Sequence, residues 1–141
     1  MRLKGKKPIF NVKDTWNLDA TLKPIIAEGL KKFLVVISAP DCCAGCPSNV
    51  LPEGYKDEEQ IELGLKEWYN ILNKMIYAFE VEEPELEDGV LDMVKSTEDT
   101  YGIEVHKPSV YAKFKLDREQ HFKDVQEGLD LFAKHYNNLW W

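Results

Sequence analysis

Apolar residues recur at steps of three and four in three separate stretches of this chain, and those steps predict three long amphipathic helices. In the first, Leu18, Leu22, Ile25, Ile26, Leu30 and Phe33 fall on one helical face, with Asp14 or Thr15 placed to cap it. Pro24 interrupts that run and removes a backbone donor, so a kink or a late start is expected. Leu34 to Ile37 either finishes the helix or turns into a strand, and Pro40 ends it. The second helix is expected from about Asp57 to Glu80. Its stripe is Ile61, Leu65, Trp68, Leu72, Met75 or Ile76, and Phe79, and Asp57, Glu58 and Glu59 suit the positive end of the helix dipole. The third is expected to be capped by Asp117 and to continue through Phe122, Val125, Leu129, Phe132, Tyr136 and Leu139 or Trp140.

The stretches between are irregular. Lys7 to Val12 is extended in character, and residues 39–56 carry Pro40, Gly45, Pro47, Pro52 and Gly54, the composition of a loop. Val90, Leu91, Met93 and Val94 fit one short helix, and between His106 and Leu116 strand and helix stay open. The fold class expected is mainly α: three long amphipathic helices with irregular connections and one short strand or hairpin at most, assembled as an oligomer. A single helical domain, 1–141, is expected. It has a basic extended arm at 1–13, a Cys/Pro-rich loop at 39–56 and an acidic insertion at 81–104.

Composition narrows the function. With 44% hydrophobic and 30% charged residues the chain has the balance of a soluble globular protein. At 141 residues it is large enough to bury roughly two thirds of its unfolded surface. No apolar run approaches the roughly 20 residues needed to cross a bilayer, and Met1 to Lys7 lack the apolar core of a secretory signal. A cytoplasmic protein with no membrane partner is expected. The net charge of −7 argues against a binder of DNA or RNA polymers, which present a broad cationic face. Charge is also segregated: residues 1–13 hold Arg2, Lys4, Lys6, Lys7 and Lys13 with no acid, whereas residues 80–104 hold ten acids against the single cation Lys95. Opposite fields on one chain favour self-association or a sharply placed anion site; a solvated loop and a frayed arm are the plain alternative.

Candidate catalytic chemistry is sparse. Cys43 and Cys46 have the spacing of a zinc or redox pair, but no second pair accompanies them, and His106, His121 and His135 stand singly. Three ordinary loop thiols are the expectation. Neither a phosphate-binding glycine loop nor a nucleophile elbow occurs, so no catalytic residue, metal or cofactor is expected. More telling are cations embedded among aromatic rings. Lys74 lies near Tyr77, and Lys134 lies between Phe132 and Tyr136. Rings stack on nucleobases while ammonium groups meet phosphates. Against this, each lysine can instead border the apolar stripe with its stem covering it. Trp140-Trp141 adds two indoles whose commonest fate is to dock on a core, then on a partner subunit, then on a base.

Three segments, Asp14 to Leu22, Trp68 to Glu80 and Gly128 to Trp141, together resemble a widespread family of small bacteriophage proteins. That family's breadth across phages is similar to that of the anti-CBASS sponge proteins, oligomers that sequester cyclic dinucleotide alarm signals. Extended to them, the resemblance implies a helical homo-oligomer, tetramer or dimer, acting in the host cytoplasm. It would bind a cyclic dinucleotide such as cyclic GMP–AMP without cleaving it and so inhibit CBASS defence. Stacking is assigned to Trp16, Tyr77, Tyr136 and Trp140, and phosphate contacts to Lys74, Lys134 and Arg118, the last chosen only as the lone arginine beyond the arm. Two rivals remain: an acidic phage protein that inhibits a host protein by direct binding, and a helical-bundle nucleotide-processing enzyme.

Overall fold

The computed structural model describes residues 1–42, 45–51, 56–97 and 100–140. The protein is mainly helical, with two small antiparallel hairpins among the described residues. Its chain groups into two compact units, Met1–Val81 with Val125–Trp141, and Glu82–Asp124.

The first unit opens with a hairpin, β1 (Arg2–Lys4) paired antiparallel with β2 (Lys7–Ile9), turning at Gly5 with φ +63°. Positive φ is a conformation that glycine adopts without a Cβ penalty. Helix α1 (Val12–Trp16) follows, and its cap is Asn11 rather than Asp14 or Thr15. The Asn11 side chain accepts from the Asp14 N–H at 3.0 Å while the Asp14 carboxylate accepts from the Asn11 N–H at 2.7 Å. Both orphan donors are thereby satisfied, and backbone bonding together with the terminal ammonium holds the Asp14 carboxyl below its ordinary value. After a break at Asn17, α2 (Leu18–Ile37) runs through Pro24 and through Leu34 to Ile37, so the helix neither starts late nor turns into a strand.

Asp57 caps α3 (Glu58–Glu80) by accepting from the Gln60 N–H at 2.9 Å. Trp68, Ile71, Leu72, Met75 and Ile76 of α3 join Leu30 and Ile37 of α2 in one buried cluster. This is the stripe expected of the second helix from Trp68 onward; Ile61, one turn from the helix start, is exposed instead. Cys42, Cys46 and Val50 of the loop pack against the same cluster, so the two thiols behave as small hydrophobes. Cys43, the other half of the expected pair, lies outside the described residues.

In the second unit the expected short helix at 90–94 is a strand. Strand β3 (Leu91–Thr97) pairs antiparallel with β4 (Thr100–Val105), placing Leu91 opposite Val105, Asp92 opposite Glu104, Met93 opposite Ile103 and Lys95 opposite Tyr101. Apolar residues recur at period two at Leu91 and Met93 and again at Tyr101, Ile103 and Val105, and that alternation outweighs the weak helical spacing of four apolar residues. Val90 is fully buried and its carbonyl accepts from the His106 N–H at 2.9 Å, closing the base of the hairpin.

The last helix, α4 (Pro108–His135), begins at Pro108, not after Asp117. Proline is pre-organised for the first turn, where its missing N–H has no intrahelical partner to lose. A single 3₁₀ turn, Tyr136–Asn138, follows. The expected stripe is met in part: Phe132 and Leu139 pack against the buried cluster, but His121, Gly128 and His135 are buried whereas Phe122, Leu129 and Tyr136, each one residue further on, are exposed.

Candidate functional site

The backbone of α4 meets α3 in the first unit at Gly128. A methyl group there would overlap the Lys74 carbonyl oxygen and lie 2.6 Å from the Ala78 methyl. Only glycine permits that approach, and it fixes which side of α4 faces α3. Lys74 is held at this crossing, its ammonium 2.6 Å from the Glu127 carboxylate. Tyr77, three residues along α3, is half-buried.

Beyond the crossing, rings run from core to surface. Phe79 meets Phe132 edge-on at 5.0 Å between centroids, and Phe132 meets Tyr136 edge-on at 5.7 Å. Tyr136 is 62% exposed, so its ring is held on one side by Phe132 and presented to solvent on the rest. Leu139 packs against the buried cluster while Trp140, next to it, is 75% exposed. Core docking is therefore not the fate of Trp140, and Trp141 lies outside the described residues. Lys134, in the last turn of α4, is exposed.

Lys134, Tyr136 and Trp140 thus share one short stretch as a surface cation and two surface rings. The other expected site residues stand elsewhere. Trp16 ends α1 and is 86% exposed. Arg118 belongs to the second unit, where it pairs with Glu83 and lies 5.1 Å from the centre of the Phe122 ring. Of the three expected phosphate ligands, Lys74 and Arg118 are already engaged by carboxylates.

Sequence reasoning missed His135. Its side chain is buried against Trp68 with ring centroids 5.4 Å apart, and its Nδ1 has no hydrogen-bond partner. Burial and the neighbouring Lys134 charge push its pKa down, against a hydrogen bond with Asn138. The signal was available in the spacing, because His121, Gly128 and His135 stand seven apart and so share a helical side. Among the described residues, no group of three or more His, Cys, Asp or Glu is placed to hold a metal ion.

Compared with protein-family models, with curated proteins and with solved structures, the chain matches none.

Proposed function

We propose that the protein is a helical binding protein that captures a cyclic dinucleotide without cleaving it, as a homo-oligomer in the host cytoplasm, and so blunts CBASS defence during phage infection. The observation that carries this reading is the Lys134, Tyr136 and Trp140 stretch. Two rings that a soluble protein would ordinarily cover stand largely exposed in the same chain segment as an exposed lysine, one of them braced from behind by Phe132 and Phe79. A flat base stacks on such a ring while a phosphate meets the ammonium.

The same geometry shapes the proposal. Lys74 and Arg118 already answer Glu127 and Glu83, so phosphate recognition falls first to Lys134. One such lysine per chain matches one phosphate, and a ligand with two bases and two phosphates is matched by two copies. That stoichiometry favours a dimer or a dimer of dimers. Among the described residues, no helix is long and apolar enough to cross a membrane.

Calorimetry of the intact protein against a panel of cyclic dinucleotides tests the reading. Binding is expected at one ligand per two chains, and Tyr136→Ala or Trp140→Ala, which removes a ring from each of the two chains, is expected to weaken it about a hundredfold. Lys134→Gln should weaken it and flatten its salt dependence. No heat with any member of the panel, from protein whose circular dichroism is intact, would remove the proposal.

A further inference from the structure

The β3–β4 hairpin has an uncovered apolar face whose continuity its register establishes. Leu91 and Val105, half-buried at the base, lead to the directly opposed Met93 and Ile103, which are 76% and 70% exposed, and the face ends at the exposed Tyr101 opposite Lys95. The opposite face carries Asp92 and Glu104 directly across from one another. Asp92 meets His106 Nε2 at 2.9 Å. Like charges directly opposed weaken a sheet, and a two-stranded hairpin leaves both outer edges without strand partners. A strand alternating apolar and basic residues would answer both faces at once, apolar side chains meeting Met93 and Ile103 and cations meeting Glu104.

This chain carries such a segment. Arg2-Leu3-Lys4 alternates basic, apolar and basic in β1, with Lys6 and Lys7 close behind and no acid before Asp14. It too belongs to a two-stranded sheet, and Lys4, Lys6 and Lys7 are exposed. A second copy in mirror-like contact, acidic hairpin on acidic hairpin, would instead set Asp92 and Glu104 against the same carboxylates of its neighbour. We infer that the β1–β2 hairpin of one copy docks along the β3–β4 hairpin of another, a head-to-tail contact that closes into a ring or extends as a filament. The inference stands apart from ligand capture, and its test contains no ligand.

Sedimentation velocity on the full chain over a range of concentrations provides that test. Wild-type protein is expected to associate at low salt and to dissociate as salt is raised, since the facing charges lie at the surface. One variant, Lys4→Glu with Lys6→Glu and Lys7→Glu, makes both hairpins acidic. A second, Asp92→Lys with Glu104→Lys, makes the other hairpin basic. Each alone is expected to sediment as a monomer, and an equimolar mixture is expected to regain assembly, because each reversed hairpin now meets its complement in the other variant. Rescue by mixing also shows that both variants are folded. Ile103→Asp should weaken wild-type assembly about tenfold without altering the helical circular dichroism. Wild-type protein that stays monomeric at low salt, or that assembles regardless of salt and of both reversals, would overturn the inference.

Discussion

Two residues of α4 set terms for the protein that their bulk does not suggest. Gly128 lies where the α4 backbone passes against α3 in the first unit, and Gly128→Ala would drive a methyl into the Lys74 carbonyl and the Ala78 side chain. Alanine gains about 1 kcal/mol of helix propensity, but overpacking against backbone costs about 1 to 3 kcal/mol and cannot be relieved by a rotamer change. A net loss of up to about 2 kcal/mol is expected in urea unfolding, together with loss of the Lys74–Glu127 pair. His135 adds a pH dependence. Its folded pKa lies below the ordinary 6.5, because the imidazole is buried with Nδ1 unpaired beside Lys134. Above 6.5 both folded and unfolded chains hold it neutral, and its full contribution is present. As pH falls from 6.5 toward the folded value, the unfolded chain takes up the proton first and stability is lost. That loss is bounded by about 1.4 kcal/mol for each pH unit separating the two values. Thermal midpoints of the wild type should therefore drop more steeply between neutral pH and mild acid than those of His135→Gln. Parallel slopes would show that the imidazole titrates normally.

At the scale of elements, α2 carries a cost that the rest of the helix absorbs. Pro24 is exposed inside a helix that starts at Leu18, so the Ala20 carbonyl loses its partner without any packing gained in return. Replacing an interior proline recovers about 3 kcal/mol, and greater freedom of the unfolded chain takes back about 0.4 to 1. Pro24→Ala should thus stabilise the protein by about 2 kcal/mol, seen as a higher thermal midpoint; an unchanged midpoint would mean that the Ala20 carbonyl is satisfied by another group. How far elements could be read from the sequence follows the same local logic. Helix α3 was legible because its apolar stripe, from Trp68 to Ile76, also faces the core. The stripe of α4 was legible only in part: Phe132 does pack on the core, but Phe122 and Leu129 are exposed while His121, Gly128 and His135 are buried. Close backbone approach at Gly128 chooses the docking side, and that tertiary constraint leaves no mark in hydrophobic period. The β3–β4 hairpin was hidden for a different reason. Its strands alternate, but the acids that interleave them read as a solvated run. Of the candidate site, the closeness of Lys134 and Tyr136 along the chain is plain in the sequence, whereas the carboxylates that engage Lys74 and Arg118 come from 53 and 35 residues away and are not.

Across the whole molecule, burial is divided unevenly, and stability should be divided with it. The first unit holds Leu30, Ile37, Trp68, Ile71, Leu72, Met75 and Ile76 in one cluster, while Val90 and His121 are the buried residues among those described in the second. A unit with so little apolar burial opens at a lower free energy than one built on a continuous core. Amide hydrogen exchange is expected to follow: Ile71 to Ala78 of α3 should exchange only with global unfolding, and β3 and β4 about a hundredfold faster or more. Uniform protection across both units would contradict this and mean that the chain opens as one body. The hairpin's exchange also depends on association. If copies dock through β3–β4, its amides gain protection as protein concentration rises and lose it as salt rises, while those of α3 do not move. Protection that ignores concentration, alongside slow exchange in α3, would separate a weak unit that stays free from one held by its neighbour.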